Sequence, residues 1–445
     1  MQLSKAAEYC IRTLENAGFE AYAVGGCVRD SLLGLTPHDY DLCTNAVPAE
    51  TASLFAEHTL VRSGEKHGTI GVVVAGEVIE ITTFRTEGGY ADSRHPGWVR
   101  FVPTVEEDLS RRDFTVNAMA YNPNRGYIDP FGGQQDLKKG ILRAVGDPRT
   151  RFTEDALRIL RGVRFSVRFR LMPEEKTRQA MEEMSVLMEN LAKERVFDEL
   201  CKLLPLLNAD DLAEFASVLT AVLPELAPCV GFQQHNPHHK YDVYTHTAQV
   251  VETVPGELIV RWAALLHDCG KPACFTMDGD GKGHFLGHAA ESAKLAEALL
   301  LRLKAPNALR QRVAFLVEKH MTPLEPDKKL LRRRLGQYGQ EALYQLLVLQ
   351  EADFGGKGVE NDKKNTFVTI RKLLKEILSE DACLGIKDLV INGRDLQQIG
   401  FADGPAMGKC LAYLLEQVQD EVLPNDREAL LSAAKDFLQS FCSSQ

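Results

Sequence analysis

The sequence predicts an α+β protein, a small strand-bearing head followed by a long helical body, and three observations predict it. Residues 21–121 alternate short β-branched runs with Gly- and Asp-rich turns, as in AYAVGG, DYDLCT, TIGVVVAGEVIEITTF and VRFVP. From about residue 150, apolar residues recur at three- and four-residue spacing, as in TEDALRILRGVRFSVRF and KERVFDELCKLLPLL, which is helical periodicity. The 445 residues are 44% hydrophobic and 26% charged, a globular balance that excludes collagen, mucin and wholesale disorder.

The opening MQLSKAAEYCIRTLENAGF predicts an amphipathic helix and lacks the apolar run of a signal peptide. No stretch approaches the roughly 20 apolar residues that cross a bilayer, so a cytoplasmic protein without membrane partners is expected. The ten cysteines are scattered, with no CxxC pair, and are expected to be reduced core thiols. The strand region predicts a small mixed sheet, and GFQQHNPHHKYDVYTH at 231–246 marks entry into a new module. The expected divisions are a head at 1–145, a helical neck at 146–230, a His-rich domain at 231–360 and a helical tail at 361–445. Net charge is −10, which argues against a protein that coats nucleic acid indiscriminately. Residues 138–170 and 301–340 nevertheless each hold ten Lys/Arg against three acids, leaving two local basic surfaces.

In AVGGCVRDSLLG a Gly pair stands between a strand and a helix, where missing side chains let backbone N–H groups approach an anion. In PHDYDLCT, Asp39 and Asp41 are two apart in a predicted strand, so both carboxylates point to one face. Such a pair repels itself unless a cation sits between. Hard oxygen ligands select Mg²⁺, which keeps positions for water and substrate phosphates. Glu80 in VIEITTFR either approaches the same face or is an exposed strand residue.

Six motifs follow in order across about residues 20–205: GGCVRD, DYDLCT, EITTFR, DLSRRDFTVNAMAYN, EDALRILRGVRF and ERVFDELCKLL. In order and spacing they resemble the class II template-independent nucleotidyltransferases, which comprise the CCA-adding tRNA enzymes and bacterial poly(A) polymerases. The resemblance implies a polymerase-β-like nucleotidyltransferase head followed by helical neck, body and tail. It implies an enzyme that adds or repairs the 3′-terminal CCA of tRNA from CTP and ATP, releasing pyrophosphate. It also implies two Mg²⁺ ions on Asp39 and Asp41, activating the attacking hydroxyl and stabilising the leaving pyrophosphate. Gly26 and Arg29 would cradle the triphosphate, with Asp30 orienting Arg29. Arg112 and Asp113 would lie near the phosphates and sugar, Asp113 accepting from the 2′-hydroxyl, and Asn117 would support them. On a helix beginning near Thr153, Asp155 would accept from the exocyclic amine of cytosine or adenine while Arg158 donates to the ring. Arg161 and Arg164 would surround phosphate and base. TEGGYADSRHPGWVRF matches the family's flexible loop, with Arg94 and His95 as remodelling residues.

A second constellation follows: His246, His267, Asp268, His288, His320 and Asp353, in the order H…HD…H…H…D. That order resembles the HD phosphohydrolase superfamily. Imidazoles with hard carboxylates suit Mn²⁺, Ni²⁺, Co²⁺, Fe²⁺ or Zn²⁺. The expected first site is His246, His267, Asp268 and Asp353, with His288 and His320 for a second metal or a phosphate, which Lys271 would attend. The resemblance implies phosphodiesterase or phosphatase activity on RNA 3′ ends. Lys328, Lys329, Arg332, Arg333 and Arg334 form a basic cluster expected to meet the tRNA backbone. Near the C-terminus, Gly404 and Pro405 are expected to open the helix that ends the chain. Poly(A) polymerase, CC-only or A-only addition, and HD hydrolysis as the principal role remain as alternatives.

Overall fold

The computed structural model describes residues 1–88, 98–358, 364–380, 383–402 and 404–442. It divides into two compact units, Met1–Ala227 with Arg302–Ala305, and Pro228–Leu301 with Pro306–Gln445.

The first unit opens with α1 (Lys5–Asn16), capped by Ser4, whose hydroxyl accepts from the Ala7 amide. Its buried Ala6, Ala7, Cys10, Ile11 and Leu14 fall on one face, as the amphipathic pattern predicts. Nine strands follow: β1 (Ala21–Val24), β2 (Asp41–Thr44), β3 (Thr59–Val61), β4 (Thr69–Val74), β5 (Glu77–Thr83), β6 (Arg85–Gly88), β7 (Trp98–Phe101), β8 (Ala120–Asn122) and β9 (Gly126–Ile128). Seven make one sheet in the order β3-β4-β5-β2-β1-β8-β9, while β6 and β7 pair separately. Only β2 and β5 run parallel within that sheet, so it is mixed, as expected.

Side-chain alternation sends Ala21, Ala23, Leu42, Ile79 and Ile81 to the face covered by α1. Tyr22, Val24 and Cys43 go to the other face, packing with Phe84 and with Val105 and Leu109 of α4 (Val105–Ser110). Each fully buried Leu or Ile here contributes about 1.5–3 kcal/mol. Two-sided burial explains the unbroken apolar runs of the central strands. Asp41 shares its face with Cys43. Asp39 lies outside the strand, which begins only at Asp41. The expectation of two aspartates on one strand is therefore corrected to a strand-end carboxylate and a loop carboxylate.

The remaining helices of this unit are α2 (Gly26–Leu32), α3 (Pro48–Leu54), α5 (Gly133–Lys139), α6 (Pro148–Glu154), α7 (Leu157–Phe169), α8 (Glu175–Glu183), α9 (Lys193–Leu203), α10 (Ala209–Glu214) and α11 (Ala216–Val222). The single helix expected from Thr153 onward is in fact two. Asp155 is extended, with φ −147° and ψ 102°, and separates α6 from α7. Its Oδ1 accepts from the Leu157 amide at 3.1 Å, so the carboxylate starts the next helix. A two-residue parallel pairing of Ile141–Leu142 with Met172–Pro173 further interrupts the predicted helical texture.

The second unit holds α12 (Val243–Thr253), α13 (Leu258–Leu266), α14 (His288–Arg302), α15 (Asn307–Lys319), α16 (Lys328–Tyr338), α17 (Gln340–Gly356), α18 (Lys364–Ser379), α19 (Gly393–Gln398), α20 (Pro405–Gln419) and α21 (Arg427–Cys442). Asp242 caps α12 by accepting from the Tyr244 and Thr245 amides. Gly404 and Pro405 do open α20, but α21 closes the chain. Those two helices and α19 share a core of Leu396, Cys410, Leu414, Leu430 and Ala434.

Candidate active site and metal centre

A cleft of about 560 Å³ in the first unit gathers Gly26, Arg29, Asp39, Asp41, Arg112, Asp113, Asp155, Arg158, Arg161 and Arg164. Every head residue expected to bind nucleotide or Mg²⁺ lines it. The parallel pairing of β2 with β5 places Glu80 beside Asp41 in register. Glu80 is thus both exposed and next to Asp41, so the two readings of it hold together. Partial enclosure, then the charges of Glu80 and Asp39, push the Asp41 carboxyl up to about 6 against the pull of Arg112. Carboxylate oxygens are the hard donors that a divalent cation such as Mg²⁺ takes.

Gly25, which precedes α2, has φ +78°, and an added Cβ would stand 2.9 Å from Nη1 of Arg112. Behind it Arg29 donates to Asp30 Oδ1 from both Nε and Nη2, at 2.8 and 2.6 Å, and from Nη1 to Asn117 Oδ1. Asn117 in turn donates to Asp113 Oδ1 at 3.0 Å. Asp30 and Asn117 thus make the supporting contacts expected of them. The other Asp113 oxygen accepts twice from Arg161, at 2.7 and 2.9 Å, and the Phe114 amide also donates to Oδ1 at 2.8 Å. Burial raises the Asp113 pKa, but Arg161 and Asn117 outweigh it and bring it to about 2. A carboxylate offers about four acceptor positions, and here four donors occupy them. Asp113 lines the cleft and fixes Arg161 there.

Asp155 Oδ2 accepts from Arg195 of α9 at 2.7 Å. Arg158 donates to Glu154 at 2.7 Å and to the Arg111 carbonyl at 3.0 Å. Arg164 pairs with Glu199, and Arg112 with the fully buried Asp108 at 3.2 Å. The base-reading candidates therefore face the cleft with their polar atoms already engaged. Arg94 and His95 lie outside the described residues.

In the second unit all six members of the His/Asp series converge. His246 comes from α12, His267 and Asp268 follow α13, His288 starts α14, His320 follows α15 and Asp353 lies on α17. Gly270 permits the approach, since a Cβ there would stand 2.6 Å from the Ser292 amide nitrogen. Each imidazole bonds a backbone carbonyl through Nδ1: His246 to Gly356, His267 to Ala264, His288 to Phe285 and His320 to Val317, at 2.6–3.1 Å. A carbonyl only accepts, so Nδ1 carries the hydrogen and the neutral ring presents an Nε2 lone pair. Yet Nε2 of His246 lies 3.3 Å from Nε2 of His267, and the same distance separates His288 from His320. Two nitrogens on a tetrahedral ion, each about 2.0–2.1 Å away, stand at about that separation.

Asp268 joins the two pairs. Its Oδ2 lies 3.2 and 3.4 Å from His267 and His246, and its Oδ1 lies 3.3 and 3.8 Å from His288 and His320. Asp353 Oδ1 stands 3.1 Å from His246. Lys271 contacts Asp268 at 2.7 Å and Gln234 at 2.8 Å. His267 and Lys271 overcome burial and hold the Asp268 carboxyl well below its usual range. Two groups fit a metal ion, His246–His267–Asp268 and Asp268–His288–His320.

Residues 21–143 match the model of the poly A polymerase head domain. Residues 170–229 match a probable RNA and SrmB-binding site of polymerase A, and 284–434 a putative tRNA nucleotidyltransferase domain 2. The CCA-adding enzyme of Limosilactobacillus fermentum is 35% identical over 96% of this chain and 95% of its own. That of Streptococcus gordonii is 36% identical over 96% of each. The chain belongs to the CCA-adding enzyme family. The crystal structure of the Bacillus stearothermophilus CCA-adding enzyme in complex with CTP matches it over 100% of both chains, with a TM-score of 0.76 at 26% identity. The family uses a divalent metal, typically Mg²⁺.

Within this CCA-adding family member most of the basic cluster is paired with acidic side chains. Lys328 and Arg332 pair with Glu380, Arg332 also with Glu421, and Arg333 with Glu416 and Asp420. These bonds tie α16 to α18 and α20. Arg334 donates to Gln337 and Tyr338 of its own helix, and Lys329 is exposed. Sequence reasoning missed Arg168 and Arg195 in the cleft; Arg195 lay inside ERVFDELCKLL, quoted as a motif without a role for its arginine. It also missed His239, whose ring centroid lies 5.4 Å from that of His246, in the stretch read only as a module boundary.

Proposed function

We propose that this protein adds or repairs the 3′-terminal CCA of tRNA, drawing on CTP and ATP in the cytoplasm. The observation that carries the reading is one cleft holding both the Asp39 and Asp41 carboxylates and the Asp155 and Arg158 pair, with Glu80 on the strand beside Asp41. Mg²⁺ on those carboxylates supplies activation of the terminal hydroxyl and stabilisation of departing pyrophosphate. Arg29, locked by Asp30 and Asn117, receives the triphosphate with its guanidinium already oriented. Asp155 exchanges Arg195 for the exocyclic amine of cytosine or adenine, and Arg158 donates to the neighbouring ring acceptor. Uracil and guanine present a carbonyl there, leaving Asp155 opposite an acceptor. Base choice then needs no nucleic-acid template.

The test is incorporation of CTP, ATP or both on tRNA ending before CCA, after C and after CC, with a generic RNA as control. Three-nucleotide extension confined to tRNA is expected. Long A tracts on any RNA would instead make it a poly(A) polymerase, and addition of only CC or only A would divide the work with a second enzyme.

The paired imidazoles support a second activity, HD-type hydrolysis of phosphate esters at RNA 3′ ends. His246, His267, Asp268 and Asp353 would hold one transition metal, with His288 and His320 completing a second site through Asp268. Such an ion supplies a water of lowered pKa. Hydrolysis of bis-p-nitrophenyl phosphate with added Mn²⁺ or Ni²⁺ is expected, and absence of turnover with every divalent metal would remove this activity.

A further inference from the structure

Arg158, Arg161, Arg164 and Arg168 form a stripe along α7 at three- and four-residue spacing, and all four line the cleft. The first three each bond a carboxylate: Glu154, Asp113 and Glu199. The other cleft arginines do likewise, Arg29 with Asp30, Arg111 and Arg112 with Asp108, and Arg195 with Asp155. Arg168 has no ion pair among the described residues. It is exposed, and its guanidinium lies 5.1 Å from the centroid of the Phe169 ring. The Arg29 guanidinium lies 4.3 Å from that same ring. Two like charges are thus gathered on one aromatic ring, and the positive charge of Arg168 acts directly on Arg29.

Such an arrangement gains from a polyanion bound between the two cations. Ten residues of helix rise about 15 Å, so the stripe has distinct ends, Arg158 at the base-reading break and Arg168 beside Arg29. We propose that Arg168 binds the terminal phosphates of the incoming nucleoside triphosphate and, after transfer, the departing pyrophosphate. The assignment rests on the placement of the triphosphate against Arg29. It adds a cation whose charge no carboxylate among the described residues answers, whereas Arg158, Arg161 and Arg164 each already bond one. A phosphodiester of the tRNA primer is the other source of the same oxyanion chemistry, and the experiment separates the two.

Arg168→Gln should raise KM for CTP and for ATP by about tenfold or more, the scale of a lost hydrogen bond between charged groups. KM for tRNA should stay unchanged, as should the ratio of CTP to UTP use. Inhibition by added pyrophosphate should weaken by the same factor, inhibition by CMP should not, and Arg168→Lys should recover part of the loss. Because Arg168 is exposed, the melting temperature should not move. Unchanged nucleotide KM, or a rise confined to tRNA, overturns the proposal, the latter assigning Arg168 to the primer. Arg29→Lys run in parallel distinguishes failures: if it too leaves nucleotide KM and pyrophosphate inhibition unchanged, the triphosphate placement itself is wrong.

Discussion

In the nucleotide cleft, seven of the eight lining arginines lean on carboxylates, whereas in the histidine centre four imidazoles turn lone pairs toward one another. The first arrangement is already neutralised by protein partners that substrate can replace. The second is a set of acceptors around one buried aspartate, with Lys271 as its closest cation. The contrast teaches how each site handles charge. In the cleft the guanidinium and carboxylate groups, many of them buried, answer one another's charge directly, so specificity arises from which partner wins. The histidine centre has acceptors without matching donors and demands fixed tautomers and a cation.

The largest expected effect breaks the two regions apart. Asp41→Ala should lower nucleotide incorporation by about 10³-fold, the scale of losing a transition-state electrostatic partner, while leaving phosphodiester hydrolysis intact. Asp268→Ala should do the reverse. Loss of both activities in either variant would mean that the centres are not independent.

Next comes selectivity. Asp155→Ala should cut discrimination against UTP and GTP by about 10- to 100-fold, as expected for one base-edge contact, with a smaller change in triphosphate binding. Single-nucleotide misincorporation assays measure it, and unaltered selectivity would remove Asp155 from base reading.

The Asp113–Arg161 lock predicts a pH signature. The folded pKa of about 2 lies below the unfolded value of about 3.9, so the stabilisation is full above about pH 4 and fades as pH falls towards 2. Asp113→Asn should therefore cost about 2 kcal/mol at pH 7, the difference closing in acid. Urea titrations of both proteins at pH 7 and pH 3 test this.

The smallest effect concerns α16. Arg333→Ala should cost about 1 kcal/mol or less in stability, because its pairs with Glu416 and Asp420 are partly solvated, and should leave KM for tRNA unchanged. A raised tRNA KM at unchanged stability would place the cluster at the RNA interface.

Much of this molecule was legible before its structure. Strand alternation foretold the mixed sheet, and the Gly pair, the Asp39/Asp41 spacing and the ordered His/Asp series foretold which residues converge. The motifs themselves carried that information, since each is a local pattern of residue types. Partnership was not legible, because it joins residues distant in sequence. Glu80 reached Asp41 through strand register, Asp113 was captured by Arg161 across 48 positions, and Arg333 met Asp420 across 87. The helix break at Asp155 also escaped periodicity, since a side chain that caps the next helix looks in sequence like one more charged residue on the same face. The sequence by itself thus determined which chemistry each site carries, because that resides in residue types and short spacings. Only the tertiary structure decided which charges are already answered and which remain for substrate, because ion pairing depends on distances that chain order does not set.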